Sequence, residues 1–391
     1  MSLLPVAEAQ ARLLALATPM AVETVPLSEA AGRWAAEDVI ARRTQPAADL
    51  SMMDGYAIRF ADLPGAWTVT GESRAGAGFA GLLDAGEAVR IFTGAPVPEG
   101  ADAILIQEEA RRDGDMLWLS GEGPPHAGSS IRTRGSDFSV GAILAARGSL
   151  LTPGRIAAAA VGGHGRLTVR RKPRITILST GDELVVPGEP AGGAMLPASN
   201  GAMLHAQIGA AAEVDDAGIV PDRLDALVAA FRKAEADIIV TTGGASVGDH
   251  DLVRPALAEA DAMLDFWRIA MRPGKPLLAG RLGGAIVLGL PGNPVSAFVT
   301  AQLFLLPLIA HLSGSHTPIP QTEPAILAAP LPQVGSRDDY VRATFANGWA
   351  TPLPNQDSAA LSTLTLTDAL IVRPAGAPAI GAGETVQILR S

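Results

Sequence analysis

The sequence predicts an α/β plus β architecture in several domains: a doubly wound parallel sheet, a small inserted β domain, an N-terminal helical segment and a C-terminal β-barrel. Three observations predict it. Between 173 and 317 the apolar runs RITILST, DIIVTT and AIVLGL alternate with loops and helical stretches such as Leu224–Lys233, the pattern of parallel strands joined by helical crossovers. From 66 to 119 short apolar runs are separated by Gly, Pro and Asp-Gly, the texture of a small β domain. A chain of 391 residues is also too long for one ordinary core.

Taken in order, residues 1–45 are expected to hold two helices. Pro5 suits a first turn, and Val6, Leu13, Leu14 and Leu16 lie near one face. Ser28 caps a second helix that runs through Trp34 toward Val39. Residues 138–172 return to this helical, linking domain. The stretch 131–169 is expected to be helical in character, with a helix begun near Thr152 and Pro153. The inserted β domain, 46–137, holds strands at 67–70, 88–92, 103–107 and 116–119, with Asp113-Gly114 as the hairpin turn between the last two. Residues 173–317 form the α/β domain. Residues 318–391, with short strands, turns and many prolines, form the barrel.

Composition narrows the function. Hydrophobic residues at 48% and charged residues at 18% describe a globular chain. The net charge of -10 argues against a nucleic-acid partner, which needs a clustered basic face. The one dense basic stretch, RLTVRRKPR at 166–174, reads as a solvated strand edge at a domain junction. There is no cysteine, which excludes disulfides, thiolate metal sites and cysteine nucleophiles. The N-terminus MSLLPVAEAQ lacks a basic n-region before an apolar one, so a cytoplasmic protein is expected. The most apolar stretch, 295–312, contains Ser, Thr, Gln, His and an interior Pro, and a buried core helix explains it better than a membrane span. Arginine outnumbers lysine 27 to 3, so each remaining lysine poses a chemical question.

The candidate site lies beyond the strand ends, where open α/β sheets bind ligands. GDEL follows the first strand and brings Asp182 and Glu183. GGASVGDHD, 243–251, follows the second; Gly243 and Gly244 let backbone N–H groups approach a ligand, and Ser246 adds a hydroxyl. PGNPVSA, 291–297, follows the third and runs into a helix whose N-terminus suits an oxyanion. Each loop alone is an ordinary tight turn; the three together point to a phosphate-bearing ligand. Asp182, Glu183, Asp249 and Asp251 are singly solvated loop acids, but as a group they suit a hard cation such as Mg²⁺ bridging phosphates. His250, isolated between two acids, is not taken as a ligand. In RPGKP, Lys275 sits in a backbone fixed by two prolines and a glycine. With Arg268 and Arg272 it places positive charge near the anion loops, or else forms a surface basic turn.

These residues belong to a larger pattern. SMMDGYAIR (51–59), IFTGAPVPEGADAILIQEE (91–109), STGDEL (179–184), TTGGASVGDHD (241–251), FWRIAMRPGKP (266–276) and LPGNPVSA (290–297) resemble, in order, the signature blocks of the MoeA and gephyrin E-domain family of molybdopterin molybdenumtransferases. The resemblance implies a four-domain homodimer. It also implies an activity: molybdenum from molybdate is inserted into adenylylated molybdopterin, AMP is released, and the ligand's own sulfurs hold the metal. By the same resemblance Asp54, Thr93, Glu183, Asp222, Asp251 and Lys275 are catalytic, with Glu183 and Asp251 near Mg²⁺ and pyrophosphate. Gly243, Gly244, Ser246, Arg272, Pro291, Asn293, Pro294, Ser296, Arg337 and Ser358 hold substrate. Of these, Lys275, Arg272, Ser296, Arg337 and Ser358 correspond to groups that hold molybdate, and the match is weaker in the C-terminal domain. The sequence departs from the family at Arg268 and Arg272, where lysine is common, at Met52 and at Ser136. Adenylated substrate, molybdate, a second copy of the chain and a molybdopterin adenylyltransferase are the partners this implies; nucleic acid and membrane are not. Two rivals share parts of the pattern: the adenylyltransferase itself, which has no need of the DGYA and PVPEGADAI blocks, and a non-catalytic scaffold, which has no need of the acids.

Overall fold

The computed structural model describes residues 3–243 and 252–391. Its centre is a six-stranded sheet in the order Glu213–Val220, Arg174–Thr180, Ile238–Thr242, Ala285–Leu290, Leu278–Leu282, Met263–Trp267. The first four of these strands run parallel, as expected from their apolar runs. The last two are antiparallel additions, so the sheet is mixed. Alternation along each strand serves both faces. Ile175, Ile177, Ile238, Val240, Ile286 and Leu288 enter one core, while Leu178, Ile239 and Val287 enter the other. Helices Leu224–Lys233 and Val253–Glu259 cover the second face, making the sheet doubly wound.

The first face is covered by helix Asn200–Ile208 and by the apolar helical stretch Pro294–Leu312. That stretch is long and apolar enough to cross a membrane, but here it is packed inside the α/β core, as the polar residues within it led us to expect. Its middle, Ala301–Leu305, is wound as a π-helix just ahead of Pro307. Proline has no N–H to donate to the preceding turn, and a local change of helical register accommodates the lost bond. Helix Val6–Ala15 packs here as well, through Val6, Ala9 and Leu13, so the chain's first helix joins the α/β core.

The second expected helix is not formed. Only Leu27–Ala30 is helical, with Pro26 ahead of it. Ala31 is extended, Gly32 is left-handed, and Trp34 and Ala35 then bridge to Leu150 and Val169. The helical character expected over 131–169 is confined to Pro153–Val161, which Thr152 caps through its side chain. The rest is strand: Ile131–Arg132 pairs with Leu50–Ser51, Ile143–Ala145 with Val39–Ile40, and Arg166–Arg170 with Val22–Pro26. In each case the partner strand comes from a distant part of the chain, which local periodicity cannot reveal. The basic stretch 166–174 is accordingly a paired strand running into the α/β sheet.

A second six-stranded sheet is built from Ala103–Ile106, Gly55–Ile58, Glu87–Ile91, Trp67–Ser73, Met116–Leu119 and Ala110–Asp113, in that order. It includes the four expected strands. The turn at Asp113-Gly114 joins Ala110–Asp113 to Met116–Leu119, not 103–107 to 116–119. Gly55 is paired on both sides, with Ile91 and Ile106, and a Cβ there would stand 2.1 Å from the Leu105 carbonyl oxygen.

At the C-terminus Glu323–Leu327, Trp349–Pro352, Asp338–Ala346, Ala369–Arg373 and Thr385–Arg390 close into a barrel. Val341, Ala343, Ile371 and Ile388 fill its interior. Tyr340, Leu370 and Leu389 face outward and pack into the α/β core, which seats the barrel against the sheet.

Candidate active site

Three strand ends of the parallel sheet converge. A Cβ on Gly243, whose φ is +98, would lie 2.6 Å from the Thr180 carbonyl oxygen, so only glycine permits this approach. The Gly243 N–H donates to the Leu290 carbonyl at 3.2 Å, and Gly292 stands against Gly243. Beneath the loops the strands are lined with buried hydroxyls: Ser179, Thr180, Thr241 and Thr242. Asn200, at the start of its helix, donates its side-chain amide to the Gly292 carbonyl at 2.8 Å. Residues 244–251, and with them Gly244, Ser246, Asp249, His250 and Asp251, lie outside the described residues.

Acids gather at one end of this edge. The Asp222 N–H donates to Asp182 Oδ1 at 3.0 Å. Burial, and then the negative charges of Asp182 and Glu183, push the Asp222 carboxyl above its usual range. Glu183 is exposed and its carboxylate folds back over Gly181.

Cations and hydroxyls gather where the barrel meets the sheet. Pro291 is buried at the end of its strand, and Pro294 opens the helix in which Ser296 is buried. Asn293, at the cap position, makes no cap with its side chain; it donates instead to Ser358 Oγ at 3.1 Å. Met271–Arg272 forms a short parallel pairing with Asp338 and Asp339, and Arg272 faces Asp339 at 3.5 Å. Arg337 donates to the Met271 carbonyl at 3.4 Å. Burial raises the Asp339 carboxyl, and Arg272, Arg337 and Arg373 oppose that rise. Lys275 is exposed and has no ion pair among the described residues; its carbonyl accepts from the Ile269 N–H. Arg268, with a left-handed backbone, stacks on Trp267 at 4.0 Å, and Arg254 stacks on the same ring at 3.9 Å.

Asp54 and Thr93 form a separate group on the second sheet. Asp54 Oδ1 accepts from the Thr93 N–H at 2.7 Å and from its hydroxyl at 2.8 Å. These bonds, together with the nearby Arg90 guanidinium, hold the Asp54 carboxyl below its usual range. Arg90 is itself fixed by the Gly55 carbonyl and Gln107 Oε1. Among the described residues no hydrogen bond or ion pair links this group to the strand-end loops. Sequence reasoning missed Arg90, Asn200 and Asp339. Only the adjacency of Asp339 to Arg337 in RDDYVR offered a signal for any of them.

The whole length of the chain has counterparts. Residues 4–163 match a family model described as the MoeA N-terminal region (domain I and II). Residues 176–311 match the probable molybdopterin binding domain, and 324–390 match the MoeA C-terminal region (domain IV). A molybdopterin molybdenumtransferase of Bacillus subtilis is 33% identical over 402 residues, spanning 99% of this chain and 94% of that protein. The chain belongs to the molybdopterin molybdenumtransferase family. The protein of that name from Haemophilus influenzae is 38% identical over 301 residues, 76% of this chain and 74% of its own length. In three dimensions the molybdopterin biosynthesis MoeA protein of Pyrococcus horikoshii superposes with a TM-score of 0.85 at 28% identity, covering 100% of both chains. Membership of the family accounts for the order of the sequence blocks and for the fused β domains that flank the sheet.

Proposed function

We propose that this protein inserts molybdenum from molybdate into adenylylated molybdopterin, releasing AMP and forming molybdenum cofactor. One observation carries the reading: the strands ending at Thr180, Thr242 and Leu290 come together at one sheet edge, with Asp182 beside them, and the barrel seats Ser358 against Asn293 at the helix start there while pairing its Asp339 with Arg272. Backbone N–H groups and the helix start at Pro294 suit the phosphates of the adenylylated substrate. Arginine forks and a hydroxyl suit the molybdate dianion. The chain has no cysteine, so no protein thiolate competes with the substrate's sulfurs for molybdenum.

Mg²⁺ is the proposed cofactor, with Glu183 and Asp251 as its protein ligands. The donor chemistry fits: Asp182, Glu183 and Asp222 share one corner, where burial first and then the charges of Asp182 and Glu183 raise the Asp222 carboxyl. A cation there offsets that repulsion and the charge of the pyrophosphate. Among the described residues no cluster forms a closed metal cage. Mg²⁺ needs none, since it binds through one or two carboxylates plus phosphates and water.

The working form proposed is a cytoplasmic homodimer in which the Asp54–Thr93 pair of one copy faces the sheet edge of the other. What supports it is that, among the described residues, no hydrogen bond or ion pair ties that pair to the strand ends of its own chain, and closed two-fold symmetry is the commonest assembly. A molybdopterin adenylyltransferase is the proposed donor of substrate. The chain acting as that adenylyltransferase itself is not favoured, because the likeness to molybdenumtransferases runs over all three matched regions. The test is AMP release from adenylylated molybdopterin by the purified protein. Release that depends on molybdate and consumes no ATP is expected; release indifferent to molybdate overturns the reading.

A further inference from the structure

One strongly basic group takes no part in the site described so far. Arg342 is 1% exposed, on the outward face of the strand Asp338–Ala346, two residues from Tyr340. Neighbouring Val341 and Ala343 turn into the barrel, whereas Arg342 is covered by the loop that follows Trp349–Pro352. Among the described residues its two Nη groups are used only on that loop and on the helical turn Leu361–Leu366 that follows it. Nη1 donates to Thr363 Oγ1 at 2.5 Å, and Nη2 donates to the carbonyls of Asn355 at 3.1 Å and Asp357 at 3.0 Å. The backbone of Arg342 is tied to the same loop: its N–H donates to Gln356 Oε1, and Gln356 Nε2 returns to its carbonyl. Among the described residues it has no ion pair with a carboxylate.

Burying a guanidinium against neutral oxygens is costly, and an apolar side chain would fill the space at less expense. What an apolar residue cannot do is donate from one plane to two carbonyls and a hydroxyl. Those acceptors bracket Ser358, and Ser358 is the residue that accepts from Asn293 at the start of the Pro294 helix. We infer that Arg342 is a positioning residue for the molybdate end of the site: its fork fixes the loop 355–363 from beneath and so sets Ser358 against Asn293. The inference rests on the proposed reading of that site as the molybdate site.

The variants Arg342→Lys and Thr363→Val leave the barrel interior untouched, and Arg342→Met removes the charge. In Arg342→Lys the molybdate concentration for half-maximal AMP release should rise about tenfold while affinity for the adenylylated pterin, measured by equilibrium dialysis, stays within about twofold. Amide hydrogens of 355–361 should exchange faster, with the barrel strands unchanged. Thr363→Val should move both readouts the same way by less, and it keeps the test open if Arg342→Met does not fold. A lysine variant that matches the wild type shows that charge alone suffices and overturns the inference. So does a parallel loss of pterin and molybdate binding, or unchanged exchange in the loop. If the wild type itself ignores molybdate, the proposed function fails, while the exchange measurement still decides whether Arg342 anchors the loop.

Discussion

Arg272 lies opposite Asp339 in a parallel pairing that joins the α/β domain to the barrel, with the guanidinium Nε 3.5 Å from the carboxylate. The arginine side chain is 58% exposed, so the ion pair itself adds little stability and leaves the guanidinium able to turn to an incoming oxyanion. The acid is the more constrained partner, because burial raises it in spite of three neighbouring arginines.

The sign of that shift makes a prediction. The folded Asp339 titrates above the unfolded value of 3.8. Below the unfolded value both states are protonated and the full stability is present. As pH rises through the folded value, ionisation against burial removes stability. Asp339→Asn should therefore be more stable than the wild type at neutral pH and indistinguishable from it near pH 3. Urea unfolding at the two pH values measures this, and an equal difference at both would contradict it.

Asp54 shifts the other way. Two bonds from Thr93 and the charge of Arg90 favour its carboxylate, so its contribution is present above the unfolded value and is lost as pH falls through the folded one. Thr93→Val deletes the hydroxyl bond and keeps the backbone one. Carbon-detected titration of Asp54 should show its midpoint moving up toward the ordinary carboxylate range. A midpoint that stays in place means the backbone N–H and Arg90 suffice.

How far the sequence foretold this arrangement follows from where each partner lies. The strand-end loops were legible because strand, loop and helix are contiguous in RITILST-GDEL and AIVLGL-PGNP. The Asp54–Thr93 contact was not, since it depends on Gly55 pairing with Ile91 across the sheet. The strands at Val22–Pro26 and Arg166–Arg170 were hidden for the same reason: each looks featureless until the other is beside it. Arg342 lay in RDDYVR, the stretch in which only Arg337 was singled out. Nothing local distinguishes a buried fork from a solvated one, and its acceptors come from a loop that periodicity does not describe.

Glu183→Gln keeps the shape of an exposed side chain at a strand end, where the fold tolerates change. It should fold normally and require more Mg²⁺ for AMP release. It should also lower the Asp222 midpoint, because one of the charges opposing ionisation is gone. Wild-type Mg²⁺ dependence in this variant would remove Glu183 as a metal ligand, whatever the midpoint does.

Gly55→Ala tests the close approach of paired strands beside Asp54. The new Cβ would meet the Leu105 carbonyl oxygen at 2.1 Å, a contact that only a shift of paired strands can relieve. The expected cost is roughly 3 kcal/mol of stability, at the upper end for overpacking. Denaturant unfolding reads it, and a loss under about 1 kcal/mol would show that the sheet yields there.

Lys275→Arg separates charge from geometry at the molybdate end. Arginine stands at nearly every other basic position in this chain, yet lysine stands between Gly274 and Pro276. Its backbone is fixed: the Lys275 carbonyl accepts from the Ile269 N–H, and a Cβ on Gly274 would press on Thr300 Cγ2 at 2.5 Å, so the segment lies directly against the Pro294 helix. The side chain is exposed and makes no ion pair among the described residues, which leaves its ammonium available. An ammonium directs three donors from a compact point at a small dianion, whereas a planar guanidinium is larger and holds its donors in a fixed fork. With Arg272 already nearby, a second fork should crowd the anion. The expected result is a higher molybdate concentration for half-maximal AMP release, with pterin affinity and unfolding midpoint close to wild type. Superimposable molybdate curves for the two proteins would make Lys275 a surface charge and place the anion nearer Arg337 and Ser358.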